Sequence, residues 1–262
     1  DVGTVVVTLG TTGVGSVDPL KDVLELQKEY GFRIHIDSAY GGYYKLASNL
    51  ADNGAASFGA MHLVDSIVVD PHKHGLQPYG CGCVLFKDPQ VGRYYKHDSP
   101  YTYFSSDELH LGEISLECSR AGAAAVALWA TMEVLPLEVG GEFAQGLESC
   151  RNAALDLYQR LQADDRFVTP LEPELDIVIW APKAATTSQI SALSQRTFEM
   201  AEAKELHLAT FSFPSELVKK AYPEVEIDSE MTVCMRSSLM KPEHEQWMGR
   251  IWTILDEVQQ EL

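Results

Sequence analysis

"SIVVDPHKHG", residues 66–75, sets a lysine between two histidines just past an apolar run. Three β-branched residues in succession suit a strand buried on both faces, and Asp70-Pro71 marks the turn that ends it. Ligands of parallel α/β sheets gather where strands end. A lysine in such a turn is by itself an ordinary solvated side chain, so the meaning of Lys73 rests on its surroundings.

Upstream, Phe32-Arg33-Ile34-His35-Ile36 reads as another strand, ending at Asp37. Before it, Thr4-Val5-Val6-Val7-Thr8-Leu9 is a third β-branched run, followed by the glycine-rich turn Gly10-Thr11-Thr12-Gly13-Val14-Gly15-Ser16. Asp18-Pro19 reads as the cap and first residue of a helix that carries Leu20, Val23, Leu24 and Leu26 and stops at Gly31. A further short strand fits residues 83–86. This order predicts an α/β fold, a parallel sheet with helices on its faces. The first apolar run asks for neighbours on both sides, yet the chain opens on Asp1-Val2-Gly3 without an initiator methionine. The expectation is the middle of a longer protein, met as a processed chain, a subunit or a fragment.

Downstream, residues 87–118 are polar and aromatic, with Tyr94, Tyr95, Tyr101, Tyr103 and Phe104, and predict a long functional loop. Residues 121–135 predict a buried helix, broken at Gly140-Gly141, with an amphipathic helix following to Gln162. Strand 175–180, helix 188–203, strands 206–213 and 231–237 and helix 242–262 then predict a small α+β domain. The division falls between residues 1–138 and 139–262.

The 262 residues are 45% hydrophobic, enough for a sizeable core, and 20 basic against 38 acidic residues give a net charge of −18. Such a field repels nucleic acid and anionic membranes. No apolar run approaches the roughly 20 residues of a membrane span, and no signal peptide opens the chain. Cys81, Cys83, Cys118, Cys150 and Cys234 are odd in number and scattered, which predicts reduced thiols in a cytoplasmic protein. Cys81 and Cys83 stand too close for a zinc knuckle, and no metal is expected.

Three strand ends carry chemistry: Thr11-Thr12, Asp37-Ser38-Ala39 and Asp70-Pro71-His72-Lys73. A carboxylate and a lysine at neighbouring strand ends suit a pyridine aldehyde cofactor. The amine forms a Schiff base, and the carboxylate keeps the ring nitrogen protonated so that the ring accepts electrons. Ala39 shares the direction of Asp37 in extended geometry and is small enough for a flat ring to lie against. Each residue also has a plainer role. Asp37 could cap the next turn, His72 could be a satisfied turn histidine, and Thr11 and Thr12 could be turn hydroxyls.

"TLGTTGVGSVDPL" (8–20), "HIDSAYGG" (35–42) and "DPHKHGLQPYGCGCVLF" (70–86), in this order, resemble the pyridoxal-phosphate-dependent group II amino-acid decarboxylases. That family includes the glutamate, tyrosine and aromatic amino-acid decarboxylases. The likeness is strongest over residues 4–87 and extends to "SLECSRAGAAAVALWATM" (115–132). It implies the aspartate aminotransferase-like fold of type I, entered in the middle of the large domain. It implies decarboxylation of an L-amino acid, tyrosine or another aromatic before glutamate or aspartate.

Carried onto this chain, the resemblance makes Lys73 the Schiff-base lysine, Asp37 the partner of the ring nitrogen and Ala39 a ring-packing residue. His72 would contact the phosphate, and Thr12 the cofactor 3′-oxygen or the substrate carboxylate. Asp70 stands where the family often has asparagine, and its role stays open. Arg236, in the apolar "VCMRSSLM" (233–240), should meet an anion, either the substrate carboxylate or an internal partner. Arg120 is a weaker candidate; Tyr101 is either the proton donor to the substrate carbon or a surface aromatic.

The family's amino-terminal half supplies a phosphate-binding segment and a second ring-stacking residue. A homodimer, or an assembly with a chain carrying that half, is therefore implied. Two other readings remain: a carbon–carbon lyase, because "SRAG…WATM" also resembles sphingosine-phosphate lyases, and a non-catalytic subunit or fragment lacking half of the site.

Overall fold

The computed structural model describes residues 2–97, 110–114 and 122–262. The β-branched runs pair into one sheet, β1 (Thr4–Thr8), β2 (Arg33–Asp37), β3 (Ser66–Val69) and β4 (Cys83–Phe86), in that spatial order. β1, β2 and β3 are parallel, with Thr8 opposite Asp37 and Asp37 opposite Val68. β4 returns antiparallel, with Cys83 opposite Val69. The connection between β3 and β4 is spent on turns and carries no helix with which to cross the sheet.

α1 (Leu20–Tyr30) and α2 (Asp52–Ala60) pack against each other. α1 buries Leu20 and Leu24 and ends at Gly31, whose φ of 72° is the left-handed cap that glycine adopts without strain. Its start differs from expectation. Asp18 turns its carboxylate to the Thr8 amide (2.8 Å), and the Leu20 amide donates to the Asp18 carbonyl (2.9 Å) and to the Ser57 hydroxyl of α2 (3.2 Å). No local side chain caps the helix, and a side chain distant in sequence joins the backbone at its start.

The remaining elements are α3 (Leu111–Ile114), α4 (Ala123–Val134), α5 (Glu142–Gln162), β5 (Phe167–Val168), β6 (Ile177–Pro182), α6 (Thr187–Ala203), β7 (Ala209–Pro214), α7 (Ser215–Ala221), β8 (Met231–Ser238) and α8 (Glu243–Glu261). They build a second, antiparallel sheet of order β5-β6-β8-β7. β5 and α7 are too short to declare a period in the sequence. β7 begins later than expected, after Glu205 takes a left-handed φ of 63°.

Two expectations of burial are corrected. α4 forms, but none of its residues is buried, and Val126 and Trp129 are 62% and 61% exposed. A helix apolar on every side asks for cover on every side, and the described chain does not provide it. β1 pairs only with β2, its far edge is open among the described residues, and Val6 is 60% exposed.

One buried cluster runs through both sheets, joining Val7, Leu9, Ile34 and Ile36 to Leu175, Ile177, Ile179 and Phe213. A second, around Leu157, Phe167, Trp180, Met235 and Leu255, lies between the antiparallel sheet and α5 and α8. The strand ends of the first sheet therefore rest on the second. Gly10 sits at that junction with a φ of +91°, where an added Cβ would stand 2.7 Å from Gly41 Cα and 2.8 Å from Leu175 Cδ1. Gly10→Ala should cost about 1–3 kcal/mol through strain and overpacking. Urea unfolding should show a lowered midpoint with an unchanged slope. An unchanged midpoint would mean that the junction is looser than these distances say.

Candidate active site

Asp37 closes β2, and its Oδ1 accepts the Ala39 amide (3.1 Å), a turn in which the side chain takes the place of a backbone carbonyl. The buried Ser38 ties this turn to β3, with amide and hydroxyl both donating to the Val68 carbonyl (3.1 and 2.8 Å). The Asp70 amide then donates to the Ala39 carbonyl (3.2 Å). Asp37, Ala39 and Asp70 are thereby brought to one edge.

The lysine turn is held as firmly. The Lys73 amide donates to the Asp70 carbonyl (2.9 Å), and the Gln77 amide to the Pro71 carbonyl (3.1 Å). His72 is held by the Cys81 carbonyl, which accepts its amide (3.1 Å) and lies 2.7 Å from its Nδ1. Lys73 Nζ lies 3.2 Å from Asp70 Oδ2, and His72 Nε2 lies 3.6 Å from the same oxygen. Asp70, whose role the sequence leaves open, is thus the counter-charge of the lysine. The pair is only partly shielded, the Lys73 side chain being 26% exposed, so its attraction is modest and the ammonium stays accessible.

The glycine-rich turn joins this edge because the Leu9 amide donates to the Asp37 carbonyl (2.9 Å). Thr11 braces it, its Oγ1 accepting the Ser16 amide (3.1 Å). Arg236 reaches the turn from β8, donating Nε to the Gly13 carbonyl (2.9 Å) and Nη2 to the Thr12 carbonyl (2.7 Å). The internal ion pair entertained for this guanidinium does not occur among the described residues. Main-chain carbonyls take its charge instead. Tyr101 and Arg120, and with them Cys118, lie outside the described residues. The described cysteines, Cys81, Cys83, Cys150 and Cys234, are all free thiols.

Three residues passed over in the sequence stand beside the lysine. His74 is buried, its Nδ1 2.9 Å from the Tyr40 carbonyl and its Nε2 2.8 Å from Asp176 Oδ2. The Tyr40 hydroxyl donates to Asp176 Oδ1 (2.8 Å). The doublet of histidines around Lys73 was the available signal for the first. For Asp176, it was a carboxylate at the start of the apolar Ile177-Val178-Ile179-Trp180 run. On the same side a cavity of about 290 Å³ is lined by Lys73, His74, Leu135, Phe143, Leu147 and Cys150 among others, and burial pushes the Cys150 thiol up to about 12.

Known proteins resemble this chain in sequence and in fold. A family model described as "Pyridoxal-dependent decarboxylase conserved domain" covers residues 2–183. L-2,4-Diaminobutyrate decarboxylase of Acinetobacter baumannii is 32% identical over 201 residues, or 74% of this chain and 38% of that protein. L-Tyrosine decarboxylase of Enterococcus faecium is 28% identical over 240 residues, or 75% of this chain and 39% of the other. Among solved structures, Oryza sativa TDC with PLP and tryptamine aligns with a TM-score of 0.78 at 17% identity, over 98% of this chain and 50% of that one. At that identity the likeness is one of fold. The chain spans half or less of the length of each of these proteins. By the family match and the strand-end motifs it covers, the chain belongs to the pyridoxal-dependent decarboxylase family.

Proposed function

We propose that this chain is the lysine-bearing part of a pyridoxal-phosphate-dependent carboxy-lyase that converts an L-amino acid to its amine and carbon dioxide. The carrying observation is that Lys73, Asp37 and Ala39 stand at the adjoining carboxyl ends of β2 and β3. The donor set fits the cofactor. Asp37 Oδ2 has no hydrogen-bond partner among the described residues, and the only ion pair of Lys73 there is with Asp70. Pyridoxal phosphate, when bound, supplies an electron-accepting ring for the electrons left as the carboxyl group departs.

In this reading Lys73 Nζ holds the cofactor covalently, and Asp37 holds a proton at the ring nitrogen. Ala39 offers a flat apolar face. His72, with Nδ1 occupied by the Cys81 carbonyl and Nε2 3.6 Å from Asp70 Oδ2, would offer Nε2 to the phosphate. Thr12 would contact the cofactor 3′-oxygen or the substrate carboxylate, and Arg236, which steadies its turn, would offer its remaining donors to that carboxylate. Tyr101 gives a proton to the substrate carbon.

Tyrosine or another aromatic amino acid is the favoured substrate, supported by the likeness to the tyrosine decarboxylase and by the several tyrosines near the lysine turn. Diaminobutyrate, aspartate and glutamate are the competitors. Residues 1–138 would serve as large-domain portion and 139–262 as small domain, in the cytoplasm; no described helix is long and apolar enough to cross a membrane. The open edge of β1 and the uncovered α4 support a homodimer, or an assembly with the family's amino-terminal half, through an interface well above ~1,600 Å².

Borohydride reduction of the cofactor-loaded protein followed by peptide mapping should place the pyridoxyl group on Lys73. Lys73→Ala should lower turnover by about 10²–10⁴-fold. A label on another lysine would remove the central assignment. Carbon dioxide released from a panel of aromatic, acidic and basic amino acids separates a decarboxylase from a lyase and ranks the substrates.

Asp37→Asn keeps the shape and loses the charge, so it should slow turnover far more than it weakens cofactor binding. Near-normal turnover in this variant would show that another group holds the ring nitrogen.

A further inference from the structure

Lys73 is followed by a buried histidine. The His74 ring is 4% exposed and meets the Tyr40 ring edge-on at 4.6 Å and that of Tyr44 at 5.3 Å. Its two nitrogens face a carbonyl and a carboxylate, both acceptors. Nδ1 therefore donates to the Tyr40 carbonyl, and a hydrogen is held between Nε2 and Asp176 Oδ2. Burial, reinforced by the Asp176 charge, pushes the Tyr40 phenol up, so that it remains the O–H donor to the second carboxylate oxygen.

These partners come from three parts of the chain. Tyr40 follows β2, His74 lies in the lysine turn, and Asp176 precedes β6 and anchors the Leu239 amide through its carbonyl (2.8 Å). Asp176 is fully buried. Leaving one member of such a set without its partner in the interior is costly, so the set has one stable arrangement. Leu76, two residues on, carries a φ of 60°, a strained value for a leucine that persists only where surroundings dictate it.

We propose that Tyr40, His74 and Asp176 are positioning residues that tether the lysine turn to the antiparallel sheet, so that Lys73 Nζ is presented to the strand ends in one orientation. The inference rests on the reading of Lys73 as the reactive amine, but its tether is measurable without turnover.

Three variants of the intact protein test it: Asp176→Ala, His74→Phe and Asp176→Asn. The asparagine can donate to Nε2 and accept the Tyr40 O–H, restoring a neutral version of the network. Backbone hydrogen exchange of residues 71–77 should rise about tenfold or more in the first two variants, while β2 keeps its protection. The share of pyridoxal phosphate trapped by borohydride on Lys73, relative to Lys45 and Lys87, should fall about tenfold or more, since misplacing a reacting atom by about an ångström costs up to about a hundredfold. Asp176→Asn should retain the parent behaviour in both measurements. Exchange that rises equally throughout the sheet, an unchanged Lys73 label in a loosened turn, or an asparagine variant as impaired as the alanine would each overturn the proposal. If the parent protein itself carries its label elsewhere, the proposed function fails, and the exchange and asparagine results still decide whether the network holds the turn.

Discussion

Ser38 gives two hydrogen bonds to the Val68 carbonyl, one from its amide and one from its hydroxyl, and is itself fully buried. This joint fixes where β2 stops relative to β3. Without it the carboxylate of Asp37 and the turn that carries Lys73 would be neighbours in topology only. The parallel register brings Thr8, Asp37 and Val68 level, and the Ser38 joint turns that level into a site edge. The Leu9 amide, bonded to the Asp37 carbonyl, adds the glycine-rich turn to it.

The antiparallel sheet serves the site from below. Arg236 grips the carbonyls of the glycine-rich turn, and Asp176 grips the histidine next to the lysine. Two of the three strand-end turns are thus held by side chains more than a hundred residues downstream. The surfaces left bare among the described residues are the far edge of β1, the exposed Val84 and Leu85 of β4 and the apolar α4. Surfaces of this kind are what a protein covers with further structure or with a partner.

The strand ends were legible because their signals are local. Apolar runs ending in Asp37 and Asp70 declare themselves within a few residues, and Gly31 marks a helix end on its own. Other features depend on contacts made at a distance. The apolar composition of α4 predicts burial, but composition reports appetite for cover and not its presence. The side-chain oxygen at the start of α1 comes from Ser57 and not from Asp18, a partner that no local rule would select. The apolar strand around Arg236 predicts an anion for its charge; the carbonyls that take its hydrogen bonds lie over two hundred residues away in sequence. His74 and Asp176, separated by 102 residues, could be paired only once the two sheets were placed together.

The shared hydrophobic cluster has a consequence for how this chain comes apart. Val7, Leu9, Ile34 and Ile36 lose their cover if the antiparallel sheet melts, and Leu175, Ile177 and Phe213 lose theirs if the parallel sheet does. Neither sheet has a boundary at which unfolding can pause. The order of the chain divides it in two, but the shared cluster predicts that the two sheets melt together, and that the geometry around Lys73 is lost with either.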